Sequence, residues 1–162
     1  MGRSAMCPGT FDPVTNGHID IIRRASRCFD GVIVAVLANP SKEPLFSAEE
    51  RVAMLKEAVA DIDGVEVSSF DGWLVDHAQD RGAGVVVKGL RGEGDMDFEL
   101  KMSQMNNRLS GVETFFLPTS PEWSFISSSL IKEIVRFGGD VSGLVPDFVR
   151  GRLEERLSTG RD

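Results

Sequence analysis

Apolar runs too short for a helix, set between longer segments of helical period, constrain this chain more than any other feature. Val32-Ile33-Val34-Ala35-Val36-Leu37 and Val85-Val86-Val87 show no polar alternation, the pattern of strands buried on both faces. Strands are expected at about 3–7, 32–37, 65–69, 85–88 and 114–117. Helical stripes lie between them. Ile19, Ile22 and Phe29 mark a first helix, and Val52, Leu55, Val59 and Ile62 mark a second, with Ser47 as its cap before Glu49 and Glu50. A third is expected at about 73–80, and a fourth at about 97–109 carries Phe98, Met102, Met105 and Leu109 on one face. A fifth starts at Ser127-Ser128-Ser129 and carries Leu130, Ile131, Ile134 and Val135; a C-terminal helix at about 146–157 begins with Pro146. Strand and helix alternating in this way predict an α/β fold: a doubly wound five-stranded parallel sheet with helices on both faces. No repeat or linker interrupts it, so a single domain over residues 1–162 is expected.

Composition narrows the function. An apolar share of 41%, a charged share of 27% and a longest apolar run ending at Ala38 describe a globular chain without a bilayer-spanning segment. Arg3 and Ser4 interrupt any signal-peptide pattern. Met1-Gly2 suggests N-myristoylation, but Met6 stands where Ser or Thr is required. Cys7 and Cys28 form neither a disulfide framework nor a metal-ligand spacing, and both read as reduced, mostly buried thiols of a cytoplasmic protein. A net charge of −7 argues against non-specific nucleic-acid binding. A small anionic substrate requires cations gathered locally.

The strand-to-helix loops gather them. In open α/β sheets ligands sit beyond the carboxyl ends of the strands. After the first strand comes Pro8-Gly9-Thr10-Phe11-Asp12-Pro13-Val14-Thr15-Asn16-Gly17-His18, where glycines allow close approach or positive φ and a helix start offers free N–H groups and a dipole beside an imidazole. Lys42 follows the second strand, Lys88-Gly89-Leu90-Arg91 closes the fourth, and the serine run follows the fifth. Each has a plain alternative: a capped turn, a solvated lysine, an N-cap that needs one serine. Their coincidence on one sheet edge favours a polyphosphate ligand. His77, inside the third helix, reads as an ordinary surface or packing residue, and Asp95, Asp97 and Glu99 as first-turn acids facing a helix dipole.

At these residues the chain resembles the nucleotidylyltransferase superfamily, through Thr15-Asn16-Gly17-His18 and Ile126-Ser127-Ser128-Ser129. More narrowly it resembles the bacterial-type phosphopantetheine adenylyltransferases, because PGTFDPVTNGHIDII, the NPSK loop, FSAEERV, KGLR and EWSFISSSLIKE match in order and spacing over about residues 5–150. The resemblance implies reversible adenylyl transfer from ATP to 4′-phosphopantetheine, giving dephospho-coenzyme A and pyrophosphate, with coenzyme A as a feedback ligand. It implies His18 as transition-state stabiliser, with Thr10, Lys42, Arg91, Ser128 and Ser129 as further catalytic residues. Thr10, Lys42, Leu74 and Lys88 would hold phosphopantetheine; Thr10, Phe11, Gly17, His18, Gly89, Leu90, Arg91, Glu99, Trp123, Ser124, Phe125, Ile126, Ser127, Ser128 and Ser129 would hold ATP. Mg²⁺ would enter on ATP phosphates and water rather than on protein side chains, and the family usually forms hexamers. Lys88 departs from the family's frequent arginine, Ser129 from the superfamily's threonine, and Lys132 falls near the superfamily's usual arginine.

Two rivals stand beside this reading. Another nucleotidylyltransferase, acting for example on a nicotinate nucleotide or a phosphorylated alcohol, is the nearer rival; Lys42 and Lys88 bear on that choice, since an acceptor that is itself a phosphate monoester asks for cations at the attacking end. A non-catalytic nucleotide-binding or flavodoxin-like module would need the phosphate seat but not His18.

Overall fold

The structure, a computed structural model, describes residues 3–158; Met1 and Gly2, with the lipidation reading they carry, and residues 159–162 of the expected domain lie outside it. The chain runs β1 (Ser4–Gly9), α1 (Asn16–Ser26), β2 (Gly31–Leu37), α2 (Ala48–Ala58), β3 (Val65–Phe70), α3 (Leu74–Asp80), β4 (Val85–Leu90), α4 (Glu93–Ser110), β5 (Glu113–Pro118), α5 (Ser128–Arg136) and α6 (Asp147–Ser158). The strands form one parallel sheet in the order β3-β2-β1-β4-β5. The path runs outward from β1 through β2 to β3, then returns past β1 and continues through β4 to β5. The reversal lies between β1 and β4, where an open parallel sheet leaves a crevice at its carboxyl edge.

Strand periodicity explains why the apolar runs are unbroken. Ala5, Cys7, Val32, Val34, Val36 and Val87 pack into one cluster with Ile22, Leu55, Ile131 and Leu153. The intervening Met6, Ile33, Ala35 and Val86 enter a second cluster with Phe70, Ala78 and Val112. Alternate side chains on both faces are thus taken out of water.

Several expectations are corrected. α1 ends at Ser26, so Phe29 lies past it, partly buried against the core with its ring tilted toward that of Phe115 at 5.8 Å. Val59 and Ile62 likewise follow α2 as buried anchors of its exit. α4 starts at Glu93, a full turn before the first residue of its apolar stripe, behind a Gly92 that gives no side-chain cap. The stripe itself is real but uncovered: Phe98 is 64% exposed, Met105 50% and Leu109 52%, while Asn106 is the buried residue of the helix. An apolar face is buried only where another element lies against it, and among the described residues none covers that face. Cys7 is buried as expected, but Cys28 is exposed in the turn after α1. His77 stacks on Phe70 at 5.2 Å, a packing role.

Candidate active site

Thr15 makes the local geometry of the first loop. Its extended backbone caps α1, and its hydroxyl accepts from the His18 N–H, while its own N–H donates to His18 Nδ1 at 3.0 Å. His18 therefore occupies the third helical position of a capping box, a place usually filled by Glu or Gln. A backbone N–H can only donate, so Nδ1 must be the lone-pair nitrogen and the ring proton sits on Nε2. Desolvation first, and then the nearby Arg91 guanidinium, push the His18 pKa down to about 4. The imidazole is a neutral hydrogen-bond donor at ordinary pH. Positive φ, expected at the loop's glycines, falls instead on Phe11 at 51°, whose ring meets His18 edge-on at 4.9 Å.

The crevice is a cavity of ≈ 530 Å³ to which Thr10, Phe11, Gly17 and His18 contribute from the first loop. Lys42 enters from the loop after β2, Lys88, Gly89 and Arg91 from the end of β4, and Glu99 from α4. Trp123, Ile126 and Ser127 to Ser129 close it at the start of α5. Gly89 lets β4 lie close to α1, since a Cβ there would come within 3.0 Å of Ile21 Cγ1 and make that side chain shift. Lys88 donates to Glu99 at 2.8 Å, and Arg91 donates to Asp95 at 3.1 Å and to the Ile126 carbonyl at 3.1 Å. Lys42 is exposed and has no ion-pair partner among the described residues.

The three serines divide their labour. Ser127 caps α5 by accepting from Leu130 N–H at 3.1 Å, and Ser128 donates to the Pro13 carbonyl at 2.8 Å. Ser129 remains exposed on the cavity. Four residues named from the sequence lie outside the cavity lining. Leu74 packs against the second core cluster, Leu90 pairs through its carbonyl with Thr119 N–H, Ser124 donates to the Pro121 carbonyl, and Phe125 is 60% exposed.

Sequence reasoning missed the polar frame beneath the site. Arg51, fully buried, donates to the carbonyls of Thr10 (2.9 Å), Leu37 (2.7 Å), Ala38 (3.0 Å) and Phe46 (3.1 Å), tying the first loop to both ends of the Lys42 loop. Its signal was available, since it stands four residues before Leu55 on the buried face of α2. Asp12, also buried, accepts from Leu45 N–H, Phe46 N–H and Lys132 Nζ. Cys7 lines the cavity too, but burial pushes its thiol up to about 12, so it supplies no thiolate nucleophile.

Similarity to known proteins agrees with this geometry. The cytidylyltransferase-like family profile matches residues 6–134. The phosphopantetheine adenylyltransferase of Nocardioides sp. is 54% identical over 96% of this chain and 98% of its own length. That of Frankia casuarinae is 54% identical over 96% and 99%, and that of Streptomyces coelicolor 54% over 96% and 98%. The chain belongs to the phosphopantetheine adenylyltransferase family. As a member of that family it is a nucleotidyltransferase. The family's fold also extends to distant structures: a lipopolysaccharide core biosynthesis protein from Thermoplasma volcanium superposes with a TM-score of 0.53 at 19% identity, over 74% of this chain and 98% of that one. Within this adenylyltransferase no helix of the described residues is long and apolar enough to cross a membrane.

Proposed function

We propose that the cavity at the β1–β4 reversal carries out reversible transfer of the adenylyl group from ATP to 4′-phosphopantetheine, producing dephospho-coenzyme A and pyrophosphate. An oxygen of the phosphopantetheine phosphate attacks the α-phosphorus of ATP; the new P–O bond forms as the bond to the β-phosphate bridging oxygen breaks, and pyrophosphate leaves. No covalent intermediate with the protein is required, so the site works by positioning and by stabilising charge.

The observation that carries this reading is the His18 ring, neutral and with its Nδ1 occupied by Thr15 N–H. That leaves Nε2–H as a fixed donor in the cavity, suited to the α-phosphate oxygens as negative charge shifts in the transition state. Thr10 orients the attacking phosphate, and Lys42 with Lys88 holds it. Lys88 does so as a point charge, without the bidentate fork of an arginine. Gly89 and Arg91 embrace the nucleotide from the end of β4. Trp123 to Ser129 seat adenine and the outer phosphates, with Ser129 the hydroxyl free to do so. Leu74, Leu90, Ser124 and Phe125, outside the cavity lining, have no assigned contact in this reading.

Asp95 and Glu99, the carboxylates beside the phosphate seat, are engaged by Arg91 and Lys88. That donor set fits Mg²⁺ brought in on ATP, held by phosphate oxygens and water. Bound with ATP, the ion would supply neutralisation of charge on the leaving pyrophosphate. The enzyme works in the cytoplasm as a single-domain subunit of a hexamer, for which the uncovered face of α4, with Phe98, Met102 and Met105, is a suitable apolar contact. Coenzyme A, the end product that shares the pantetheine arm, competes for the same cavity.

His18→Ala tests the reading. Turnover, measured as pyrophosphate release, is expected to fall by ~100-fold or more while ATP binding persists, the scale of losing one preorganised donor. Unchanged turnover would remove His18 from the chemistry.

A further inference from the structure

Asp12 has no place in the chemistry just described, yet it is 4% exposed and sits where three parts of the site meet. Its Oδ2 accepts from Leu45 N–H at 2.8 Å and from Lys132 Nζ at 2.7 Å, and its Oδ1 accepts from Phe46 N–H at 2.9 Å. Leu45 and Phe46 end the loop that carries Lys42. Lys132 lies on α5 one turn past Ser129, and both residues line the cavity. A buried carboxylate is costly unless it is paired and fully hydrogen-bonded, and here the pairing and the bonds come from opposite walls of the site.

We infer that Asp12 is a positioning residue: it holds the Lys132 ammonium at the phosphate end of the cavity and locks that cation to the loop that presents Lys42. This rests on the proposed adenylyl transfer for the identity of the ligand, but the linkage itself is a property of the unliganded protein. A carboxylate is needed because both of its oxygens must accept. Asn in its place would turn an NH₂ group toward either Phe46 N–H or the Leu45 N–H and Lys132 pair, leaving donors face to face. Without its counter-ion Lys132 is free to swing away from the cavity. The two walls then lose their common register.

The test is a double-mutant cycle on MgATP affinity, measured by calorimetry, with Asp12→Asn, Lys132→Met and the double variant. Each single change is expected to weaken MgATP by about 10-fold or more, the scale of one charge-assisted hydrogen bond. The double variant is expected to be no weaker than the worse single one, because Asp12 acts through Lys132. Losses that multiply would make Asp12 a structural residue only, and full affinity in Asp12→Asn would also overturn the inference. If burial makes Asp12→Asn fail to fold, Lys132→Met still decides. With the carboxylate left unpaired, amide hydrogen exchange at Leu45 and Phe46 is expected to quicken, and unchanged exchange there would refute the linkage. Wild-type protein that binds MgATP but releases no pyrophosphate with phosphopantetheine would sink the proposed reaction alone, leaving the cycle and the exchange measurement to judge Asp12.

Discussion

At the scale of single residues, the local signals were the readable ones. Lys42 and Lys88 with Arg91 lie within five positions of a strand end, and Gly17-His18 and the serine run sit at helix starts, so sequence neighbours alone expose them. Asp12 is hidden in the sequence because its partners are remote, Leu45, Phe46 and Lys132 at separations of 33, 34 and 120 residues; the place of Arg51 on the buried face of α2 is legible, but not its bond to Thr10 at 41. Through its desolvation, helped by the nearby Arg91, His18 carries a pH consequence. Its pKa falls from 6.5 to about 4 on folding, so within that window the unfolded chain binds a proton that the folded one refuses. Stability is then fully retained above 6.5 and declines as pH drops toward 4. His18→Gln keeps a capping-box side chain without that titration. In urea melts across this window the variant is expected to lose less stability than the wild type; parallel losses would place the proton elsewhere.

At the scale of elements, strand positions followed from two-sided burial, because runs such as Val32 to Leu37 have no other economical use. The helix ends were less legible. Where a capping residue announces the start, as Ser47 does for α2, the boundary is legible; α4 begins behind Gly92 with no side-chain cap, four residues before the start its apolar stripe predicts. The α2 cap is reciprocal, with Ser47 Oγ accepting from Glu50 N–H at 3.2 Å and Glu50 Oε2 accepting from Ser47 N–H at 2.8 Å. Glu50 also receives Arg152 and Arg156 of α6, so this one turn fastens the C-terminal helix to the helix that holds Arg51. Ser47→Ala is expected to cost about 1 kcal/mol in denaturant unfolding. A change near zero would mean that the tertiary contacts of Glu50 hold the turn without its cap.

At the scale of the molecule, the β3-β2-β1-β4-β5 order explains why one edge holds the chemistry. Reversing direction between β1 and β4 sets the His18 loop beside the Lys88–Arg91 loop, and the flanking strands bring Lys42 and the serines from either side. The sequence carried the periodicity of the α4 face but not its exposure, since whether a stripe is covered depends on what lies outside the chain's own fold. The proposed hexamer puts a contact on this face, so Phe98→Glu, at a position 64% exposed, is expected to lower the mass in light scattering relative to the unaltered protein; an unchanged mass would count against a contact there. The proposed reaction requires a phosphate acceptor to meet ATP in this cavity. Pyrophosphate release from MgATP by the wild-type protein, measured alone, with 4′-phosphopantetheine and with nicotinate mononucleotide, tests that dependence most directly. Release with phosphopantetheine alone is the predicted result, and equal release without it or with the nicotinate nucleotide would contradict the account.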